Sequence, residues 1–296
     1  HVIIGANKNL SRFVPENEWN RICRFWNRQD DTLSSSPGEF KGHIIKSCCN
    51  LAAENAAPKI IKKIMRLTFP WTEEQRKIYF SKNNLSQQLI NPLLSYADEC
   101  FFNTRFLKTE TQFGRVAALT FNNRSVDLSA DDRVILALSS RAFRAVYGGE
   151  AFDYSSIINI FYRTSQKITL PKSIDSMAAV QAKADWIFVS DKIVGITISD
   201  ASSEDGELET LARSIWKELD ILRGVNSAFV PPFKIFNHKT ATIRQDAANN
   251  AKRPDSALTE YSNLFIAGDW TMKDYPCSME TAALSAKRAV KAAFKV

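Results

Sequence analysis

The residues best suited to chemistry gather near the C-terminal end. Asn263-Leu-Phe-Ile-Ala267 is an apolar run that stops at Gly268-Asp269. Trp270 follows, then a loop through Tyr275, Pro276 and Cys277. Ser278-Met279-Glu280 then opens an alanine-rich stretch that ends near Phe294. The pattern reads as strand, turn, loop and helix. Glycine at the strand end lets backbone approach a ligand closely. Asp269 can accept hydrogen bonds from ligand hydroxyls or brace the neighbouring loop. A helix starting near Met279 aims its N–H groups and positive dipole end at that point, which favours an anionic or electron-rich ligand. Spacing alone fits an ordinary strand–loop–helix equally well, with Ser278 as N-cap and Glu280 in the first turn. Trp270 and Tyr275 flank the motif, either as walls of a pocket or as local core.

Other reactive side chains are scattered. Of the three histidines, His1 is the first residue, His43 falls in a helical pattern and reads as structural, and His238 lies in an extended run beside Lys239. No Ser–His–Asp order can be argued. The five cysteines (23, 48, 49, 100 and 277) include no Cys-x-x-Cys, so neither a disulfide framework nor a zinc site is expected, and no metal. Cys277, just ahead of a helix, reads as a small filler rather than a reactive thiol. Lys59–Arg66 alternates basic and apolar residues. It suits a solvated helix face, and alternatively an anionic membrane surface.

The elements that must position these residues change character along the chain. Residues 1–102 read as mostly helical. Glu39–Ala57 carries Phe40, Ile44, Ile45, Cys48 and Leu51 at helical spacing, Pro58 opens a second helix that Pro70 ends, and Thr72 with Gln75 marks a capping box. A further helix is expected from about Leu85 to Phe101, interrupted by Pro92. Strand-like runs follow at Arg115–Phe121, Arg133–Ser139, Ser156–Arg163 and Phe233–Ile243. Asp185–Val189 and Ile193–Ser199 read as a hairpin, and Glu207–Arg223 as an amphipathic helix. Helix and strand mix throughout the second half, so the fold class is α/β or α+β with a helical insertion near the start.

Composition narrows the rest. The 296 residues are 45% hydrophobic and 24% charged, a globular balance that excludes disorder. No apolar run reaches the roughly 18 residues of a membrane span. A net charge of +7 suits an anionic partner such as phosphate or a membrane surface; nucleic acid is not expected. With no signal peptide, the expected location is cytoplasmic, peripheral to the inner face of the membrane at most. The chain opens on His1 rather than Met, and is expected to be part of a longer one.

The Gly268–Ser285 segment resembles the C-terminal FAD-binding motif of the amine oxidase and phytoene desaturase superfamily, where a strand ends in Ala-Gly-Asp and a helix begins at an Ile-Glu or Met-Glu pair. The Trp after the Asp, with Pro276, Ser278 and Glu280, is most similar to one branch, the squalene-associated FAD-dependent desaturases or hydroxysqualene dehydroxylases. His1-Val-Ile-Ile-Gly-Ala6, Asn91-Pro92-Leu93 with Asn103-Thr104, Ala184–Phe188 with Ile198–Ala201, and Lys239–Thr242 also resemble stretches of that family.

The resemblance implies FAD as cofactor, contacted by Gly268, Asp269, Trp270, Pro276, Ser278, Met279 and Glu280. It implies an apolar polyprenoid substrate and reductive removal of the hydroxyl of hydroxysqualene to give squalene. Such a reaction needs an acid to protonate the leaving hydroxyl; Glu280 is a candidate, and the sequence names no other. Residues 1–6, 110–145 and 260–296 are expected on the cofactor side, and 10–104 with 150–243 on the substrate side.

Departures from the family are specific. The ten glycines contain no Gly-x-Gly, so the turn that cradles the FAD diphosphate is absent from this chain, as is its βαβ unit. Lys273-Asp274 stands where the family has Thr-Gly, and Ala286 where it has Gly. The fold implied is a partial Rossmann-like domain plus a mixed substrate domain. The full-length protein is expected to be an enzyme, while this chain alone is expected to bind FAD weakly. Desaturation or amine oxidation on the same scaffold, and a non-catalytic remnant that binds apolar ligands, remain open alternatives.

Overall fold

A computed structural model describes the chain except residues 1, 5, 14–20, 23, 36–40, 70–71, 81–85, 175, 204–205, 220–227 and 295–296. The expectations for His1, Gly5, Cys23, Phe40, Pro70, Leu85 and Leu222 therefore lie outside the described residues. The fold is mixed α/β, in two compact units: residues 1–83 with 153–247, and 84–152 with 248–296.

The first unit is built on a seven-stranded sheet. Its strands run in the order Phe233–Ile243, Tyr154–Arg163, Ile193–Ser199, Trp186–Ser190, Ser176–Val180, Phe25–Asn27 and Thr32–Ser34. Neighbours are antiparallel except Phe25–Asn27, which lies parallel to Ser176–Val180. Alternation assigns the faces. Trp26, Ile158, Ile160, Tyr162, Met177 and Ala179 point one way, onto Ala212, Ile215 and Trp216 of helix Leu208–Glu218. Phe25 and Ala178 point the other way, onto Ile44 and Ile45 of helix Lys41–Cys49 and Ile60 and Ile64 of helix Pro58–Thr68. Each large apolar side chain buried here is worth roughly 1.5–3 kcal/mol. Lys59, Lys62 and Arg66 stay exposed, so this helix spends its apolar stripe on the core and shows its basic face to solvent.

The hairpin at 186–199 forms as expected. Ser190 pairs with Ile193, and Asp191 takes the positive φ of 52° that a two-residue loop requires. A smaller antiparallel sheet joins Val2–Ile4, Lys77–Phe80 and Arg21–Ile22.

The first hundred residues are less helical than expected. Helix Lys41–Cys49 stops well short of Ala57 because Asn50 turns left-handed, at φ 49°. Its side chain is held there: Oδ1 accepts from the Asp200 N–H at 2.7 Å and Nδ2 donates to Thr242 Oγ1 at 3.0 Å. The capping box forms at Thr72 and Gln75 but serves only the turn Glu73–Arg76. In place of a helix from Leu85 to Phe101 stand a π turn, Ser86–Ile90, and a short helix, Asn91–Leu94. Pro92 supplies no N–H and sits in that helix's first turn, where no donor is needed.

The second unit holds a three-stranded antiparallel meander, Phe106–Gln112, Arg115–Phe121 and Ser125–Asp127. Its first turn has Phe113 at φ 49° and Gly114 at φ 70°, with the Phe113 side chain 95% exposed. Leu264–Ile266 pairs in parallel with Val134–Leu136, Leu264 opposite Val134. Helix Met279–Phe294 lays Ala289 and Ala293 against Phe265 and Ala267. Small residues on that stripe let helix and strand approach closely. Asn263 locks the strand entry through both amide atoms: Nδ2 donates to Val116 O and Oδ1 accepts from Val116 N–H.

Candidate functional site

Gly268 ends the strand with φ 144°. A Cβ there would fall 2.7 Å from Trp270 Nε1 and 2.8 Å from its Cδ1. The glycine is therefore demanded by the indole of its own loop. That indole is buried, donates from Nε1 to Leu138 O at 2.8 Å, and packs against Phe143 at 5.1 Å and Phe152 at 6.4 Å between centroids. These contacts pack the indole into the unit on the side of Leu138, Phe143 and Phe152. The Gly268 N–H donates to Ser285 Oγ at 2.8 Å, which ties the strand end to the second turn of the C-terminal helix.

Asp269 folds its carboxylate back to accept the Trp270 N–H at 2.8 Å. Burial pushes its carboxyl above the usual value, against the opposing pull of that N–H and of the Arg253 charge. Ser278 caps the helix, Oγ accepting from the Thr281 N–H at 3.2 Å. Met279 and Glu280 are the first two helical residues, and both side chains are half-buried. Pro276 and Cys277 ahead of them are buried. The Cys277 thiol is pushed up to about 12 by burial, with the Asp269 charge adding to the shift, so it is protonated and unreactive.

The strand exit and the helix entry meet through a residue that sequence reasoning missed. Arg253 is only 2% exposed. It donates from Nη2 to Asp269 O at 2.7 Å, from Nη1 to Tyr275 O at 2.7 Å, and from Nε to Trp270 O at 3.2 Å. Asn250, in the preceding helix Ala247–Lys252, grips Asp274: Nδ2 donates to Oδ1 at 2.7 Å and Oδ1 accepts from the Asp274 N–H at 3.0 Å. Asp274 has φ 65°, a left-handed conformation that glycine adopts most readily. Arg288 donates to Thr271 O. Arg253 sits before Pro254 among 39 lysines and arginines, and no spacing signal marks it out.

Gly268, Asp269, Trp270, Pro276, Ser278, Met279 and Glu280 thus share one strand–loop–helix. Its chemistry is a half-buried carboxylate beside the positive end of a helix that starts at Met279. That arrangement fits the polar edge of a flat, electron-rich ring such as flavin, which this helix end would face. The other histidines play no part in this loop. His43 lies in helix Lys41–Cys49, its imidazole lowered by burial, 4.0 Å from Asp185. His238 is on the exposed strand Phe233–Ile243. Among the described residues no cluster of three or more His, Cys, Asp or Glu could hold a metal, and no helix is long and apolar enough to cross a membrane.

Comparison with known proteins agrees with the motif. Residues 228–293 match the family model of flavin containing amine oxidoreductase. The fold is that of an oxidoreductase from Methanosarcina mazei (TM-score 0.63, 12% identity, 96% of this chain and 72% of that one) and of cyclohexylamine oxidase from Brevibacterium oxydans (TM-score 0.58, 10% identity, 90% and 66%). Residues 228–293 are thus similar to flavin-containing amine oxidoreductases. The chain is also similar to the hydroxysqualene dehydroxylases. It is 30% identical to that of Zymomonas mobilis over 213 residues, covering 70% of this chain and 50% of the relative. It is also 30% identical to that of Rhodopseudomonas palustris over 217 residues, covering 71% and 51%. The chain thus spans about half the length of these curated relatives.

Proposed function

We propose that this chain belongs to an FAD-dependent enzyme that removes the hydroxyl of hydroxysqualene reductively to give squalene. The observation that carries the reading is the Gly268–Glu280 strand–loop–helix, which lies inside the matched segment of a chain whose similar curated relatives are hydroxysqualene dehydroxylases. FAD, when bound, supplies the hydride equivalent. The chain's own residues have simpler tasks. The N-terminal end of the Met279 helix would face the flavin edge, and Asp269 holds the loop. Pro276, Cys277 and Trp270 keep water away from the reacting face.

Residues 1–6, 110–145 and 260–296 are assigned to the cofactor side, and 10–104 with 150–243 to the substrate side. There the sheet carries exposed aromatic side chains that a polyprenoid could contact. Phe161 and Phe236, on adjacent strands, meet edge to face at 5.8 Å and are 41% and 46% exposed, and Trp186 and Phe188 stack on each other within strand Trp186–Ser190. A peripheral contact with the membrane that stores such a substrate accords with this assignment.

Product analysis tests the reading. The full-length protein, supplied with FAD and a reductant, should convert hydroxysqualene to squalene, and should leave a carotenoid precursor and a primary amine unchanged. Turnover of either of those instead would overturn it. The absence of any Gly-x-Gly in this chain favours one second reading, a remnant that binds apolar ligands without catalysis. A purified protein that stays colourless after addition of FAD would support that reading.

A further inference from the structure

The loop after Gly268 contains only a single 3-10 turn, Asp269–Thr271, yet its amides are satisfied almost one by one. Thr271 N–H donates to Gly268 O at 3.0 Å, Met272 N–H to Asp269 O at 3.4 Å, Lys273 N–H to Pro254 O at 3.3 Å and Tyr275 N–H to Met272 O at 3.2 Å. Trp270 and Asp274 N–H use the Asp269 and Asn250 side chains. The carbonyls at the two ends of the loop converge on one guanidinium, that of Arg253. A cation 2% exposed is costly to desolvate, and among the described residues this one forms no salt bridge. Backbone carbonyls from 269, 270 and 275 solvate it instead. A planar fork with donors on three nitrogens reaches carbonyls spread around its edge; the three donors of a lysine ammonium radiate from one nitrogen and do not span the same positions.

We propose that Arg253 is the positioning residue of the flavin-facing loop. It fixes the separation between Asp269 and the start of the Met279 helix before any cofactor arrives, and Asn250 sets the corner at Asp274. The proposal rests on the flavin reading above and adds that the site is preformed. Binding then orders little new chain, and the affinity is not spent on loop closure. The segment 250–254, outside the recognisable motif, becomes part of the binding machinery by acting through it.

The test uses the 296-residue chain, its R253K and R253A variants, amide hydrogen exchange, and riboflavin as a probe that carries the ring without the diphosphate. In R253A the amides of 270–275 should exchange tenfold or more faster, while those of Leu264–Ile266 and of the middle of helix Met279–Phe294 stay as in the parent. Riboflavin affinity should fall tenfold or more, and R253K should recover less than half of either loss. If R253A does not fold, R253K alone decides, by the same local rise in exchange. Unchanged loop exchange, or a rise spread evenly through the unit, would overturn the proposal and leave Arg253 an ordinary core residue. If the loop loosens on substitution while the parent chain shows no riboflavin binding, the positioning role stands, and the flavin reading is decided separately by the product analysis above.

Discussion

At the scale of single residues, Gly268 and Asp269 each make a measurable prediction. Gly268→Ala places a methyl in a backbone conformation that L residues rarely adopt, and drives it into an indole anchored at Leu138. A loss of about 2–3 kcal/mol is expected in urea unfolding. Asp269 has a carboxyl raised by burial, so the folded state holds its proton more tightly than the unfolded state. Its contribution is therefore fully present below the unfolded value near 4 and is lost as pH rises through the folded one. Asp269→Asn should remove that component. The stability of the variant relative to the parent should rise with pH across this window, as followed by urea titrations at successive pH values. A flat difference would mean that the carboxyl is solvated. The motif residues were legible because strand, glycine, acid and helix follow one another in sequence. Arg253 was not, since its partners lie 16–22 residues away and what selects it is geometry at their carbonyls.

At the scale of elements, local signals worked where an element is long or its ends carry chemistry. Strand Phe233–Ile243 and helix Met279–Phe294 fall where alternation and the alanine-rich period put them. Ser278 caps that helix as its position suggested, and Ser278→Ala should cost about 1 kcal/mol in stability. Thermal unfolding followed by circular dichroism would show it. Signals failed where tertiary contacts decide. Phe25-Trp26-Asn27 is too short to alternate visibly, and becomes a strand because both faces of the sheet at that point are covered. Asn50 ends a helix through bonds to residues 200 and 242, which no local window contains. The hairpin tip at Phe113 is a local conflict of the opposite kind. Both loop residues have positive φ, Gln112 pairs with Arg115, and an exposed phenylalanine occupies a position suited to Asn or Gly. Phe113→Asn should raise stability by about 0.5–1 kcal/mol in the same unfolding assay. A loss on substitution would show that the ring is held by contacts within the unit.

At the scale of the whole molecule, the cofactor question becomes one of halves. The ring side of the proposed site is present at 268–280, whereas no glycine spacing here can cradle a diphosphate. Charged hydrogen bonds to phosphate are worth about 1.5–3 kcal/mol each, so losing several weakens binding by orders of magnitude. Titration of this chain with FAD should give a Kd well above micromolar. Submicromolar binding would mean that another part of the chain takes over the phosphates.

The two units are threaded through each other in sequence: 84–152 interrupts the first, and 153–247 interrupts the second. The parallel pairing of Leu264 with Val134 therefore waits on the ribosome. After residue 152 emerges, about 110 more residues must be made before 264 can arrive. At about 5–20 residues per second this takes roughly 5–20 s. Throughout that interval Val134 and Leu136 wait for the strand they pair with among the described residues. The nascent chain therefore holds an unpaired apolar strand for seconds, and residues 248–296 bring the strand that pairs with it.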